Sequence, residues 1–581
     1  MTFKMGGEAG QGVESSGHGF VKALARGGFY VYGLQDYMSR IRGGHNFFQI
    51  RVSDRDIKAC ESSVHVLLPL DATTVEEHAD EIVSGGAVIM DSGLKVDDGK
   101  LTARGVKPMR LPLIDIAQRE GGNKLMMNTA SLAAAAGITE LPFANIEEII
   151  VENFGGKKGS AVAQANIAVA RAAYEEGARE FGEDFDYKLK VLPHKPRMVI
   201  NGNQALAYGA AAAGCRWISM YPMTPATSIT EWLAAHAKQI GLVAKQCEDE
   251  ITAVLMAIGA AHSGVRAMTA TSGGGFSLMV EAIGLSAISE TPLVLVNAMR
   301  GGPSTGLPTR TEQPDLLYAI HCSQGEFPRV VLTPGTIEEC FESGYRAFNF
   351  AEKYQVPVLI LTDMAQSNSL RAIDPDSFDL GKVTIDRGAL LSDAELDNLT
   401  EPYLRHKLTD SGISPRAVPG HKNAIVLTTS DEHYENGQAV EDPEPRVEQM
   451  DKRMRKLDLM IHDIAEPIVE GSDDAEITLV GWGSTYGPIH EARLLLEAEG
   501  HKVNHLHFHE IWPFPTERAE PVLNRARRIV DIENNYTGQL ARLIRTETGI
   551  NIEHKILKYN GRVFMGDEIA ERVRNEVMAR V

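Results

Sequence analysis

The stretch CRWISMYPMTPATSITEWLAAHAKQIG, Cys215 to Gly241, decides the fold. Its first six residues read as an apolar strand, YPMTPATS as a turn with prolines on either side of Thr224, and EWLAAHAKQIG as a helix closed by glycine. A strand leading through a loop into a helix is the repeating element of an α/β sheet, and the flanking sequence keeps up the alternation. NGNQALAYGAAAAG (Asn201 to Gly214) precedes it as a small-residue helix. After it come the helix EITAVLMAIGAAHSG (Glu250 to Gly264), the strand AMTAT, the loop SGGG (Ser272 to Gly275), the helix FSLMVEAIGLSAIS, and the strands PLVLVNAM (Pro292 to Met299) and VPVLILTDM (Val356 to Met364). Strands that are apolar throughout, alternating with helices, imply a parallel sheet covered on both faces.

Working outward, the N-terminal part opens with FKM, the loop GGEAGQG and a helix from Val13 to Ala25, followed by strand candidates at Phe47 to Val52, Val64 to Leu70 and Ala87 to Ser92. This is a second α/β unit of the strand, glycine turn, helix, strand kind. C-terminal to the central unit, residues 376–466 turn rich in Pro, Asp, Glu and Gly; about a hundred residues is too long for a plain loop and predicts local structure or a partner contact. A third α/β unit follows, with EITLVGW (Glu476 to Trp482), the helix GPIHEARLLLEAEG, KVNHLHF and RRIVDIEN (Arg527 to Asn534). The expected domains are therefore 1–190, 197–375 and 467–581, with 376–466 as connector. At 581 residues the chain has room for about this many units.

Lys plus Arg number 58 against 78 Asp plus Glu, a net charge of −20, which argues against a nucleic-acid surface. No apolar run is long enough to cross a bilayer, and the opening MTFKMGGEAGQG reaches a glycine loop too early for a signal peptide, so a cytoplasmic protein is expected. The five cysteines, Cys60, Cys215, Cys247, Cys322 and Cys340, form no C-x-x-C pair and predict neither a disulfide scaffold nor an intrachain iron–sulfur cluster or zinc site.

Ligands of open parallel sheets bind at the carboxyl ends of the strands. Three loops fall there: YPMTPATS, SGGG and RGGPSTGLPTRTEQPD. Arg300 directly follows an apolar strand, a costly place for a permanent cation unless an acceptor meets it, and Thr309 is held by the preceding Pro308. Glu250 opens an apolar helix; it reads either as an acid favoured by the helix dipole or as a buried carboxylate awaiting a protonated ligand nitrogen. In GGEAGQG, the backbone N–H groups of Gly10, Gln11 and Gly12 can face an anion at a helix start, with Arg40 and Arg42 as cations nearby, or the loop simply turns the chain. GWGSTYGP (Gly481 to Pro488) reads the same two ways. His505, His507 and His509 alternate along one strand and share a face, but no nearby carboxylate or thiolate pattern marks a metal site, and none is assigned.

Together, YPMTPATS, EDEITAVLMAIGAAHSG, TATSGGGF and RGGPSTGLPTRTEQPDL resemble the α subunits of 2-oxoacid:ferredoxin oxidoreductases, in the subgroup that carries a γ-type domain fused in front. GEAGQG resembles the γ domain's glycine motif, with Ala9 where a first glycine is usual. The resemblance implies a Rossmann-like γ domain, a pyrimidine-type thiamine-enzyme domain and a transketolase C-terminal-like domain. It also implies oxidative decarboxylation of a 2-oxoacid to an acyl-CoA with reduction of ferredoxin. Thiamine diphosphate would lie at an interface with a β subunit that holds Mg²⁺ and a [4Fe–4S] cluster, in an (αβ)₂ heterotetramer, with CoA as co-substrate.

By the same resemblance Glu250 meets the aminopyrimidine, with Tyr221 and Pro222 beside the cofactor, and Thr224, Arg300 and Thr309 meet the 2-oxoacid. Gly10, Gln11, Gly12 and Arg42 are the CoA candidates. RGGPSTGLPT is more similar to the 2-oxoglutarate-type enzymes, giving succinyl-CoA, than to the pyruvate type; pyruvate or a branched-chain 2-oxoacid is the alternative substrate. Two readings from other classes are a cluster-free transketolase-like enzyme, against which the missing G-D-G…N motif counts, and a CoA- or nucleotide-binding regulatory protein.

Overall fold

The computed structural model describes residues 1–39, 43–155, 160–192 and 197–579. The chain divides into two compact units: Met1–Asn201 with Asn368–Ser377 and Met565–Glu568, and Gly202–Ser367 with Phe378–Phe564 and Ile569–Val581.

The first unit is built on an eight-stranded sheet in the order Lys107–Leu111, Ile82–Asp91, Val64–Pro69, Thr2–Glu8, His45–Ser53, Tyr30–Asp36, Leu370–Ile373, Met198–Ile200. The first four strands are parallel and the others antiparallel, so the sheet is mixed. The strand expected over Phe47 to Val52 runs antiparallel to the first strand, with Phe3 opposite Ile50 and Met5 opposite Phe48, because Tyr30–Asp36 and His45–Ser53 pair as a hairpin instead of crossing over a helix. Phe3, Phe20 and Phe48 are buried, and the rings of Phe3 and Phe20 meet edge to face at 5.0 Å. Behind the sheet the alanine-rich helix Met127–Ile138 lies tight against Ser160–Phe181: a Cβ on Gly137 would fall 2.2 Å from the carbonyl oxygen of Tyr174. Leu370–Ile373 falls inside the stretch 197–375 that the sequence assigned to the central unit, yet it pairs with Tyr30–Asp36 here; a four-residue apolar strand carries no sign of which sheet it will join.

The second unit holds two sheets. The larger is ordered Glu510–Trp512, Val330–Leu332, Pro357–Asp363, Leu293–Met299, Ala267–Thr271, Trp217–Met220, Val243–Gln246, and is parallel except at its first edge strand. Leu293–Met299 and Pro357–Asp363 are buried at every position, as strands covered on both faces must be. The smaller sheet is ordered Ile468–Gly471, Val503–Phe508, Ile477–Trp482, Arg528–Glu533, His554–Leu557, with only the first strand antiparallel. The turn after Ile477–Trp482 helps fasten these two sheets: the Gln313 amide donates to the Trp482 carbonyl at 2.8 Å, and the Ser484 hydroxyl donates to Asp363.

The segment 378–466 is irregular apart from short turns and the helices Asp393–Asp397, Pro443–Met454 and Lys456–Asp463. Polar anchors tie it down. Glu290, fully buried, accepts from Lys452 and Lys456 at 2.6 Å each and lies 3.0 Å from His406 Nδ1. Glu352 collects Arg266, Arg387 and Arg416. Burial of Glu290 opposes its charge, but the two ammonium groups outweigh that and hold the carboxyl well below its ordinary range. Among the described residues no helix is long and apolar enough to cross a membrane.

Candidate active site

The carboxyl ends of the parallel strands in the larger sheet gather the residues singled out in the sequence. Trp217–Met220 runs out into Tyr221, Pro222, Met223, Thr224 and Pro225 before the helix Thr227–Ile240. Two strands away, Leu293–Met299 delivers Arg300, whose Nη1 donates to the Thr224 carbonyl at 2.8 Å. This bond spans 76 residues and joins two loops that the sequence only placed at the same edge. Burial lowers the Arg300 pKa from its ordinary value, and its buried Nε has no hydrogen-bond partner.

Glu250 begins the helix Glu250–His262 but does not cap it. Asp249 is the N-cap, with its side chain accepting from the Thr252 backbone N–H at 2.7 Å. The acid required at the helix start is therefore supplied by the neighbour, and Glu250, 4% exposed, keeps a buried Oε1 with no partner. The sequence left open whether Glu250 serves the helix or a ligand; in the structure Asp249, not Glu250, caps the helix. Space for the carboxylate is made by Gly275, where a Cβ would fall 2.7 Å from Glu250 Oε1 and 2.1 Å from Thr271 Oγ1.

SGGG, expected as a loop, is instead the N-cap and first turn of the helix Gly273–Ile288. Ser272 is fully buried, and its hydroxyl makes no cap hydrogen bond and has no other partner. Asn297, inside the next strand, donates its amide to Asp315 Oδ2 at 2.9 Å and leaves its own Oδ1 unpartnered. Burial raises the Asp315 pKa, opposed by the Asn297 hydrogen bond; burial and the Asp315 charge together raise that of Glu312. Glu250 Oε1, Ser272 Oγ, Asn297 Oδ1 and Arg300 Nε thus form a set of buried, unsatisfied polar atoms along the strand ends. Most buried polar groups are satisfied, so such a concentration marks a place built for a ligand. Ser272 and Asn297 were missed in the sequence, although an amide within LVLVNAM is itself a buried-polar signal.

Thr309 is half-buried in a loop that closes on itself through Leu307 N–H to Gly301 carbonyl, 2.8 Å, and Gly301 N–H to Arg310 carbonyl, 3.2 Å. No hydrogen bond among the described residues joins it to Thr224, Arg300 or Glu250. Tyr221, 38% exposed, and Pro222 sit at the surface. Beside them the helices of Glu250 and Gly273 leave Ile251, Leu255, Met256 and Leu278 exposed. Four residues apart, Ile251 and Leu255 share one helix face.

In the first unit, the loop Gly10 to Gly12 opens the helix Val13–Arg26, with both glycines at positive φ (95° and 79°) and no side-chain cap. It borders a cavity of about 540 Å³ lined by Glu8, Gly10, Gly12, Glu14, His18 and Asp36, among others. The Gln11 amide oxygen is committed to the Glu8 backbone N–H at 2.8 Å, so Gln11 shapes the loop. Arg42, assigned with these residues, and Arg40 lie outside the described residues.

Comparison with known proteins gives the family. Residues 208–452 match the pyruvate flavodoxin/ferredoxin oxidoreductase thiamine diphosphate-binding family, residues 2–176 the pyruvate ferredoxin/flavodoxin oxidoreductase family, and residues 475–569 the pyruvate:ferredoxin oxidoreductase core domain II family. The 2-oxoacid:ferredoxin oxidoreductase subunit alpha of Saccharolobus solfataricus is 32% identical over 99% of this chain and 97% of its own length. The chain belongs to the α subunits of the 2-oxoacid:ferredoxin oxidoreductases. The 2-oxoglutarate oxidoreductase subunit KorA of Mycobacterium tuberculosis is 32% identical to this α subunit over all of the chain and 92% of the relative. A 2-oxoglutarate:ferredoxin oxidoreductase from Magnetococcus marinus, solved with 2-oxoglutarate, coenzyme A and succinyl-CoA bound, superposes with a TM-score of 0.92 at 31% identity, covering 99% of both chains. The family is thiamine diphosphate-dependent, and the unsatisfied edge described above lies within the matched thiamine-binding region of this α subunit.

Proposed function

We propose that this chain is the α subunit of a CoA-dependent 2-oxoglutarate:ferredoxin oxidoreductase and works with a β subunit. The reaction takes 2-oxoglutarate, CoA and two oxidised ferredoxins to succinyl-CoA, CO₂, a proton and two reduced ferredoxins. The bond between C1 and C2 breaks, and two electrons leave one at a time. The observation that carries the reading is the set of unsatisfied atoms on Glu250, Ser272, Asn297 and Arg300, with Arg300 locked to the Thr224 carbonyl.

Thiamine diphosphate, when bound, supplies the nucleophilic carbon and the electron sink for decarboxylation. The residues fit it: Glu250 Oε1, buried and free, is suited to hydrogen-bond a protonated aminopyrimidine nitrogen, with Tyr221 and Pro222 alongside. Arg300 offers its unpaired Nε–H to a substrate carboxylate or oxo oxygen while Nη1 fixes its orientation on Thr224, and the threonine hydroxyls of Thr224 and Thr309 orient the carbonyl. For coenzyme A we propose the loop Gly10, Gln11 and Gly12 with Arg42. The lining carboxylates Glu8, Glu14 and Asp36 oppose a phosphate, so the cationic share of that site falls to Arg42.

Mg²⁺, the diphosphate anchor and a [4Fe–4S] cluster are assigned to the β subunit. All five cysteines of this chain are free and buried, which also suits a cytoplasmic, reducing setting. The exposed Ile251, Leu255, Met256 and Leu278, next to Glu250, are the surface we assign to that partner. The assembly we propose is an (αβ)₂ heterotetramer. Co-expression with the β subunit, followed by ferredoxin or viologen reduction on a panel of 2-oxoacids, tests the reading. CoA-dependent turnover fastest on 2-oxoglutarate, with succinyl-CoA as product, is expected. Preference for pyruvate or a branched-chain 2-oxoacid overturns the substrate, and a colourless, inactive pair overturns the whole reading.

A further inference from the structure

Of the carboxylates near the three alternating histidines in sequence, Glu510 beside His509 is taken up by Arg346, and the fold provides another. His505 and His507 lie on Val503–Phe508, and His509 follows it. Their face meets the start of the helix Ile337–Tyr354, where His507 Nε2 lies 3.1 Å from Glu339 Oε2 across 168 residues. Glu339, His507 and His509 each place a ligand atom within 4.8 Å of the other two. Small side-chain adjustments would bring all three to the roughly 2.0–2.2 Å that imidazole and carboxylate ligands take around zinc.

Three observations point to a ligand here. First, His507 is fully buried, and its Nδ1 and that of His509 have no hydrogen-bond partner; His505 is equally buried with neither ring nitrogen satisfied. Such rows are rare in folded interiors. Second, Glu339 already performs its helix-capping task with one oxygen. Oε2 accepts from the backbone N–H groups of Gly335 at 2.6 Å and Thr336 at 3.2 Å, and Oε1 makes no hydrogen bond among the described residues. Coordination through Oε1 leaves the cap intact. Third, the comparable cluster Glu290, His406 and His433 already has its cations, because Lys452 and Lys456 donate to Glu290 at 2.6 Å each. Among the described residues no lysine or arginine bonds Glu339.

We propose that Glu339, His507 and His509 bind one borderline transition-metal dication of the zinc class. Two imidazoles and a carboxylate suit Zn²⁺, Co²⁺ or Ni²⁺, whereas Mg²⁺ and Ca²⁺ seek all-oxygen shells. Three protein ligands leave a position for water, and the half-buried His509 gives the ion its approach. The ion would brace the helix Ile337–Tyr354, which flanks the larger sheet of the second unit, against a strand of the smaller sheet. This proposal does not depend on the catalytic reading.

The test is titration of the untagged, chelator-treated full chain with Zn²⁺ by calorimetry, with Co²⁺ absorption as a second probe. One saturable equivalent is expected, with a Zn²⁺-dependent rise in the unfolding temperature. H509A is expected to weaken the affinity at least tenfold and H507A further, while H505A, outside the ligand set, binds as the wild type does. Should H507A fail to fold, the half-buried H509A carries the comparison alone. Absence of a saturable equivalent in the wild type, or equal affinity in the wild type and H509A, overturns the proposal.

Discussion

Glu250→Gln separates a ligand-binding glutamate from a structural one. The substitution keeps the shape that fits against Gly275 and removes no hydrogen bond of the chain, because Oε1 has none. It replaces a buried carboxylate by a neutral amide, whose burial costs less. The unfolding temperature of the full chain should therefore hold or rise. Turnover should fall by about 10²–10⁴-fold, the usual worth of a positioned acid–base group, or roughly 3–5 kcal/mol of barrier at 1.36 kcal/mol per decade. The assay is steady-state viologen reduction by the chain reconstituted with its β subunit at saturating thiamine diphosphate, CoA and 2-oxoacid, beside thermal unfolding of the same preparation. Asp249→Ala is the control. It removes the actual helix cap and should cost about 1 kcal/mol of stability with much smaller kinetic effect. Activity of E250Q within about threefold of the wild type would refute the role of Glu250.

Gly275→Ala would place a methyl 2.1 Å from Thr271 Oγ1 and 2.7 Å from Glu250 Oε1; steady-state assays should show turnover lost along with about 1–3 kcal/mol of stability, read by chemical denaturation. Arg300→Lys loses the planar fork that bonds Thr224 while donating onward, and kcat/KM for the 2-oxoacid should drop about 10²-fold with the KM for CoA unchanged. Lys452→Met strands part of the buried Glu290 charge and should destabilise the second unit by about 3–5 kcal/mol, seen as an earlier unfolding transition. Burial opposes the charge of Glu432, but Arg453 and Arg446 override it and hold its pKa at about 2, so the fold depresses this carboxyl. Its contribution is full above the ordinary carboxylate range and is lost as pH falls through about 2; E432Q should unfold earlier than the wild type at neutral pH, and the two should converge as the medium is acidified.

The central sheet was legible because its strands are apolar at every position and its helices begin and end with recognisable signals. Leu293–Met299 and Ala267–Thr271 fall within a residue of where periodicity puts them. What escaped depends on contacts distant in sequence. Nothing within Leu370–Ile373 says that it joins the sheet of the first unit, and nothing in KVNHLHF says that Glu339 will meet His507. SGGG looked like a loop because glycine breaks helices in isolation, whereas here the absence of side chains is what lets the first turn of a helix sit against Glu250 and Thr271. Among the candidate residues, Arg300 and Thr224 are tied by a bond, Glu250 is distinguished by a capping neighbour, and Thr309 makes no hydrogen bond to that pair among the described residues.

Around Glu290 and Glu352 buried polar groups meet in mutual hydrogen bonds, whereas Glu250 Oε1, Ser272 Oγ, Asn297 Oδ1 and Arg300 Nε have no partner. Each unsatisfied buried group costs about 1–3 kcal/mol, so the edge is expensive for the isolated chain. Nearby, Ile251, Leu255, Met256 and Leu278 add exposed apolar surface. On the function proposed above, both costs would disappear by one event, the docking of a partner that covers the apolar face while a cofactor and substrate satisfy the polar one. The strand ends of this subunit would then be one half of a site, and the stability the chain forgoes alone would be recovered as binding energy on docking.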